Sequence, residues 1–139
     1  ERPIINAKTE DAANKQTFQP LLGNRCIVPV TAYYEWRIED GRKIKTKIGA
    51  NGVLPIAALF SAEAYVLFTC APAAAIAHIH NRMPVILPDD ILADWLDPLI
   101  DFGELRPAMR PYAKPLTFSD ADSRRTDRAP TPPRQASLF

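Results

Sequence analysis

Only two of the 139 residues are cysteine, Cys26 and Cys70. That excludes a disulfide framework, and no CxxC or zinc-finger spacing is present. Long hydrophobic runs are missing as well. Nothing approaches the roughly 20 apolar residues needed to span a bilayer, so no membrane contact is expected. Nothing at the start of the sequence resembles a signal peptide, and the chain is expected in the cytoplasm. Glycine is scarce at 5 residues, whereas proline is abundant at 14. This imbalance argues against long helices and for short elements joined by extended segments. What is present suffices for a packed core: 47% of residues are hydrophobic and 24% charged, which excludes a wholly disordered chain.

Net charge is only +1, but it is unevenly spread. Residues 1–50 carry nine basic and six acidic groups, and residues 106–139 carry seven and three. The stretch between them has seven acidic groups and one cation, Arg82. A neutral total with basic ends leaves room for a polyanionic partner through a local patch.

The patterning predicts an α+β fold: a mostly antiparallel, pseudo-barrel-like sheet with short peripheral helices. Residues 25–38 are rich in β-branched and aromatic side chains. Asp40-Gly41 marks a turn, and residues 42–48 alternate, with Ile44, Thr46 and Ile48 on one face and Lys43, Lys45 and Lys47 on the other. Asn51-Gly52 is read as a second turn, separating this strand from the buried strands 53–60 and 64–70. A short helix from Thr9, an alanine-rich helix from Pro72 to about Ile79, a strand at Val85-Ile86-Leu87, a helix Ile91–Leu96 capped by Asp89 or Asp90, and one near 101–106 complete the body. The ordered domain is expected over residues 1–118, with a disordered Pro/Arg-rich tail over 119–134.

Three segments concentrate polar groups that this patterning does not require: Asn6-Ala7-Lys8-Thr9-Glu10, Tyr33-Tyr34-Glu35-Trp36 and His80-Asn81-Arg82-Met83-Pro84. Taken singly, Glu35 reads as a solvated strand carboxylate, His80 as a helix C-terminal cation and Asn6 as a turn residue. His78-x-His80 directs its imidazoles apart and has no third ligand, so no metal and no cofactor are expected.

Taken together and in order, Asn6-Ala7-Lys8-Thr9-Glu10, Arg25-Cys26-Ile27-Val28-Pro29, Tyr34-Glu35-Trp36 and His80-x-Arg82-Met83-Pro84 resemble the SRAP family of SOS-response-associated peptidase domains. The resemblance spans roughly residues 4–116. It implies recognition of abasic sites in single-stranded DNA and covalent capture of the ring-opened sugar as a thiazolidine, with associated peptidase or lyase activity. Under that resemblance Asn6 holds the reacting groups, Glu35 is the acid/base carboxylate and His80 assists ring opening. Lys8 and Arg82 fall where the family contacts phosphate, and Trp36 where an aromatic ring stacks beside the displaced base. Lys8 stands where the family has arginine and lacks the bidentate fork.

The family's nucleophile is an N-terminal cysteine in a long segment ahead of Asn6, and it is not among these residues, which open Glu1-Arg2-Pro3. Two expectations follow. Either that part lies on another or excised piece, or the chain is a chemically inactive module that binds single-stranded DNA or a clamp. Without the family's N-terminal strands, apolar sheet faces and edges are expected to be uncovered, favouring self-association or a rearranged sheet. Cys26 and Cys70, in apolar surroundings, read as core. The last five residues, with Gln135, Ser137, Leu138 and Phe139, resemble the bacterial sliding-clamp binding peptide, two apolar anchors on a flexible tether. This implies a bacterial, nucleoid-associated protein.

Overall fold

The computed structural model describes residues 6–62 and 64–121. The strands are β1 (Asn6–Lys8), β2 (Arg25–Glu39), β3 (Arg42–Phe60), β4 (Tyr65–Cys70), β5 (Met83–Pro84) and β6 (Thr117–Asp120); the helices are α1 (Leu92–Leu96) and α2 (Phe102–Leu105). The six strands form one mixed sheet in the order β1-β4-β3-β2, with β5 paired to β4 and β6 to β3. Only β1 and β4 run parallel. This is the expected α+β, mostly antiparallel architecture, but the sheet stays open rather than closing into a barrel.

The long β2–β3 hairpin is the spine. Its tip is tight: Asp40 and Gly41 both take positive φ, 49° and 73°, a conformation that Asp tolerates and Gly adopts freely. The second turn signal does not act as a turn. β3 runs through Asn51-Gly52 as one strand, and the register passes from Val30–Leu54 to Ala32–Gly49. Thr31 alone thus faces the four residues Ala50–Val53. The partner strand is continuous there, so the surplus is absorbed as a bulge with Gly52 at φ 108°. A side chain at Gly49 would meet the Thr31 carbonyl at 3.1 Å.

Below the bulge, β3 and β4 pair from Phe60–Tyr65 to Ala58–Leu67 and then diverge. The predicted strand at residues 85–87 fills the gap. Val85 donates its N–H to the Phe68 carbonyl and accepts from Ala57 N–H, each at 2.9 Å, and Leu87 N–H reaches Pro55 O at 2.9 Å. The strand proper is the pair Met83–Pro84.

The helices are shorter than predicted. Thr9 begins a series of turns held by bonds such as Ala12 N–H to Lys8 O at 3.0 Å, not a helix. The alanine-rich segment keeps one 3-10 turn, Ala74–Ile76. Only Ile76 and Ile79 bury there, too few anchors to offset helix nucleation. A 3-10 turn, Asp89–Ile91, leads into α1 without a side-chain cap. Asp89 instead meets Lys114 at 2.8 Å. Asp101 does cap α2, accepting from Gly103 N–H at 2.7 Å.

One core unites sheet and helices. The Phe68 ring meets Trp95 edge-on at 5.7 Å and stacks with Phe102 at 5.5 Å. Order continues past residue 118: β6 pairs Thr46 with Asp120 and Ile48 with Phe118, and Ala121 N–H reaches Lys45 O at 2.8 Å. Ser119, Asp120 and Ala121, read as tail, are thus paired with β3 along the main chain. The rest of that segment, 122–134, and the terminal motif 135–139 lie outside the described residues.

Candidate active site

Strand alternation turns Tyr33, Glu35 and Arg37 to the inner face of β2, in register with Ile48, Thr46 and Ile44 of β3. Ile48 and Thr46 are fully buried, so Glu35 stands at the rim of packed surface. The chain returns to that rim 45 residues later with His80. Its Nε2 lies 3.9 Å from Glu35 Oε2, and both side chains are partly exposed. This is closer than chance but too long for a hydrogen bond, so either group can engage a third one placed between them.

The other ring nitrogen is fixed by the turn. His80 Nδ1 lies 3.1 Å from both the N–H and the carbonyl of Arg82. With Nδ1 bare the ring accepts from that N–H and carries its proton on Nε2, toward Glu35; with a proton on Nδ1 it donates to the carbonyl. The turn therefore serves either form of the ring.

Arg82 is a strut beneath this turn. Its Nη1 and Nη2 donate to Glu10 Oε1 and Oε2 at 2.6 and 2.9 Å, and Nη2 also donates to the Thr69 carbonyl at 2.6 Å. Thr9 reaches the same carbonyl through its N–H at 3.0 Å and its hydroxyl at 2.9 Å. The His80 turn, β4 and the turn after β1 thus meet at one oxygen. The bidentate bond from Arg82 pulls the Glu10 carboxyl from the ordinary 4.5 down to about 2. A depressed carboxylate stabilises the fold above its unfolded pKa and loses that contribution as pH falls through the folded value. Thermal melts of wild type and Glu10→Gln should therefore differ most above pH 4.5 and converge toward pH 2. A gap that stays constant over this range would disprove the coupling.

β1 runs beside β4, with Asn6 opposite Leu67 and Lys8 opposite Thr69. Ala7 is buried, and the Asn6 and Lys8 side chains are exposed together on the other side. The structure brings Glu35, His80 and Arg82 into one neighbourhood and places Asn6 and Lys8 on β1, just ahead of the turn whose Glu10 pairs with Arg82. Among the described residues, no hydrogen bond joins Asn6 to Glu35 or His80. Trp36 is separated from them: it follows Glu35 in the strand and faces the opposite side of the sheet, in register with Lys45. His78 is separated too, its ring packing on Phe118 at 5.0 Å. No group of three or more metal-ligating side chains gathers among the described residues.

Both thiols are subdued. Burial raises Cys26, and burial pushes Cys70 up to about 11, the opposite of what a nucleophile needs. Two contributors escaped the sequence reading. Glu10 stands in the sequence only as part of a motif, and the seven acidic groups of Arg82's own stretch give no sign that its partner comes from 72 residues away. Tyr33 shares Glu35's face, and its buried hydroxyl has no hydrogen-bond partner among the described residues. Burial and the Glu35 carboxylate both raise its pKa.

Comparison with known proteins places this open mixed sheet in one fold and one family. The profile of the SOS response associated peptidases (SRAP) matches residues 1–124, and the chain belongs to that family. It is 35% identical over 123 residues to abasic site processing protein YobE of Bacillus subtilis, covering 78% of this chain and 56% of that one. It is 29% identical over 105 residues to abasic site processing protein YedK of Escherichia coli, covering 68% of this chain and 47% of that one. The chain thus spans about half the length of these relatives. Among solved structures, one from Bacteroides thetaiotaomicron superposes with a TM-score of 0.76 at 24% identity, over 96% of this chain and 66% of that one. Another, from Bordetella bronchiseptica, gives 0.72 at 27%, over 83% and 64%. No helix among the described residues is long and apolar enough to cross a membrane.

Proposed function

We propose that this chain recognises abasic sites in single-stranded DNA and uses Glu35 and His80 to open the damaged sugar ring. The observation that carries the reading is the 3.9 Å approach of His80 Nε2 to Glu35 Oε2, from segments 45 residues apart. The names of the similar proteins, which process abasic sites, point the same way. In the ring-closed sugar, one group removes the proton of the C1′ hydroxyl while the other protonates the ring oxygen. The C1′–O4′ bond breaks, and an aldehyde and a 4′ hydroxyl result with no net change in composition. Asn6 and Lys8, exposed on β1, supply a carboxamide for the sugar and a cation for phosphate. Arg82 reaches a phosphate only in competition with Glu10. Trp36 stacks a base only if the strand crosses the β2 edge.

Burial raises both Cys26 and Cys70, which makes these two thiols poor nucleophiles. A second reading is a non-catalytic module for single-stranded DNA or the sliding clamp. Capture of an aldehyde-reactive hydroxylamine by an abasic oligonucleotide separates the two. The wild-type chain should accelerate oxime formation, and Glu35→Gln or His80→Ala should each remove about a hundredfold or more, the usual weight of an acid/base group. No acceleration by wild type, or full acceleration by both variants, leaves only the module. Gln135, Ser137, Leu138 and Phe139, outside the described residues, are proposed as the clamp contact. Capture by the clamp that survives Leu138→Ala and Phe139→Ala together would discard it.

A further inference from the structure

Two imidazoles stand two residues apart on the segment that meets the inner face of the sheet, and only His80 belongs to the pair with Glu35. The sheet beneath is laid out in rows. Register puts Glu35 of β2, Thr46 of β3 and Asp120 of β6 side by side in one row, and Tyr33, Ile48 and Phe118 in the next. Residues directly opposite in antiparallel strands point to the same face, so Phe118 shares the face of Tyr33 and Glu35. His80 meets the first row at Glu35, 3.9 Å from Nε2 to Oε2. His78 meets the second row at Phe118, edge-on, with ring centres 5.0 Å apart and planes at 65°. Thr46 and Ile48, in the middle of the two rows, are fully buried, as expected beneath a crossing segment.

The two sides of the His80 turn are held differently. Downstream, the Arg82 side chain is tied to Glu10 and to the Thr69 carbonyl, and the Arg82 backbone holds His80 Nδ1. Upstream, Ile76 and Ile79 are buried, and one turn closes through Ile79 N–H to Ile76 O at 2.9 Å, with His80 N–H at 3.4 Å from the same oxygen. The His78–Phe118 contact adds a second footing on that side. Its base is fixed, because β6 pairs with β3 along Thr117–Asp120 and Arg37 binds Asp120 at 2.7 Å.

We propose that Phe118 is a positioning residue for the Glu35–His80 pair: its ring holds His78, and through His78 the turn that sets His80 against Glu35. The inference rests on the ring-opening reading of that pair. His78 acts here by its ring and not by its charge or its proton. An edge contact between two rings shifts a local equilibrium by a factor of roughly two to ten, and a small displacement of an acid/base group lowers the rate further. Neither residue touches the sugar, so the loss falls on the chemical step and not on binding.

The test measures oxime formation on an abasic oligonucleotide with the full chain. Phe118→Ala and His78→Ala should each lower kcat about tenfold and leave KM within twofold of wild type. The double variant should lose no more than either single one. His78→Phe keeps a ring without an imidazole and should restore kcat to within twofold of wild type. Asp120→Ala loosens β6 from Arg37 but keeps the ring contact, and it should change kcat less than twofold. Both rings are partly exposed, and a melt of each variant verifies that it folds. The proposal is overturned if Phe118→Ala matches wild type, if His78→Phe is as slow as His78→Ala, if the single losses multiply in the double variant, or if Asp120→Ala costs as much as Phe118→Ala. The His80 ring signals in nuclear magnetic resonance spectra read the same coupling without turnover, and should move in Phe118→Ala but not in Asp120→Ala. Unmoved signals in Phe118→Ala overturn the coupling even where wild type opens the sugar, whereas a wild type that opens no sugar overturns the ring-opening reading itself.

Discussion

Replacing Trp95 with alanine should lower stability by about 3–5 kcal/mol, the range for a large aromatic removed from a packed core. Trp95 is fully buried and touches Phe68 and Phe102 at ring separations of 5.7 and 6.5 Å. It also donates from Nε1 to the Cys26 carbonyl at 2.8 Å. The substitution therefore opens a cavity and strands a strand carbonyl at once. Urea unfolding gives the answer as a drop in midpoint at unchanged slope. Trp36, the other tryptophan, is exposed, so native fluorescence should shift to the red in Trp95→Ala. A loss under about 1.5 kcal/mol would mean that the aromatic cluster does not hold the helices to the sheet.

Arg25→Ala should cost about 3 kcal/mol or more. The guanidinium is buried and donates to four main-chain carbonyls: Trp95 at 2.7 Å, Leu22 and Ile100 at 2.9 Å each, and Asp97. Removing it takes the charged donor from Leu22 ahead of β2 and from Trp95, Asp97 and Ile100 at and beyond the end of α1, and charged hydrogen bonds are the costly ones to lose. Burial pulls the guanidinium's pKa below its usual value, and the Asp101 and Asp97 carboxylates oppose that pull, so the cation persists. Arg25→Lys keeps the charge but not the fork and should recover less than half of the loss. Full recovery by lysine would show that charge rather than geometry is what the site requires. The motif containing Arg25 carried the family resemblance, but nothing in it disclosed that this arginine ties β2 to the α1–α2 connection.

Much of the site was legible because its residues lie in short contiguous motifs on predictable elements. The two-residue alternation around Glu35 and the Lys43–Lys47 row follow from strand geometry alone, and the structure keeps both faces as read. Arg82 was harder. A lone cation in an acidic stretch reads as a phosphate contact until folding brings Glu10 from 72 residues away to its fork. Trp36 was grouped with Glu35 as a neighbour in sequence, although adjacent strand residues face opposite sides of a sheet. The missed bulge has a similar origin. Asn51-Gly52 suits a turn, but whether it reverses the chain depends on whether the partner strand ends or continues opposite it.

By itself the sequence determined the family, the α+β class, the hairpin tip at Asp40-Gly41 and which hairpin residues share a face. These depend on local backbone preference and on a side-chain period of two, both written along the chain. Only the tertiary structure decided that the sheet stays open, that His80 meets Glu35, that Glu10 engages Arg82 and that Arg25 braces the helices. Each of those contacts joins segments separated by 45 residues or more, and their pairing is selected by the packing of the whole core rather than by any local pattern.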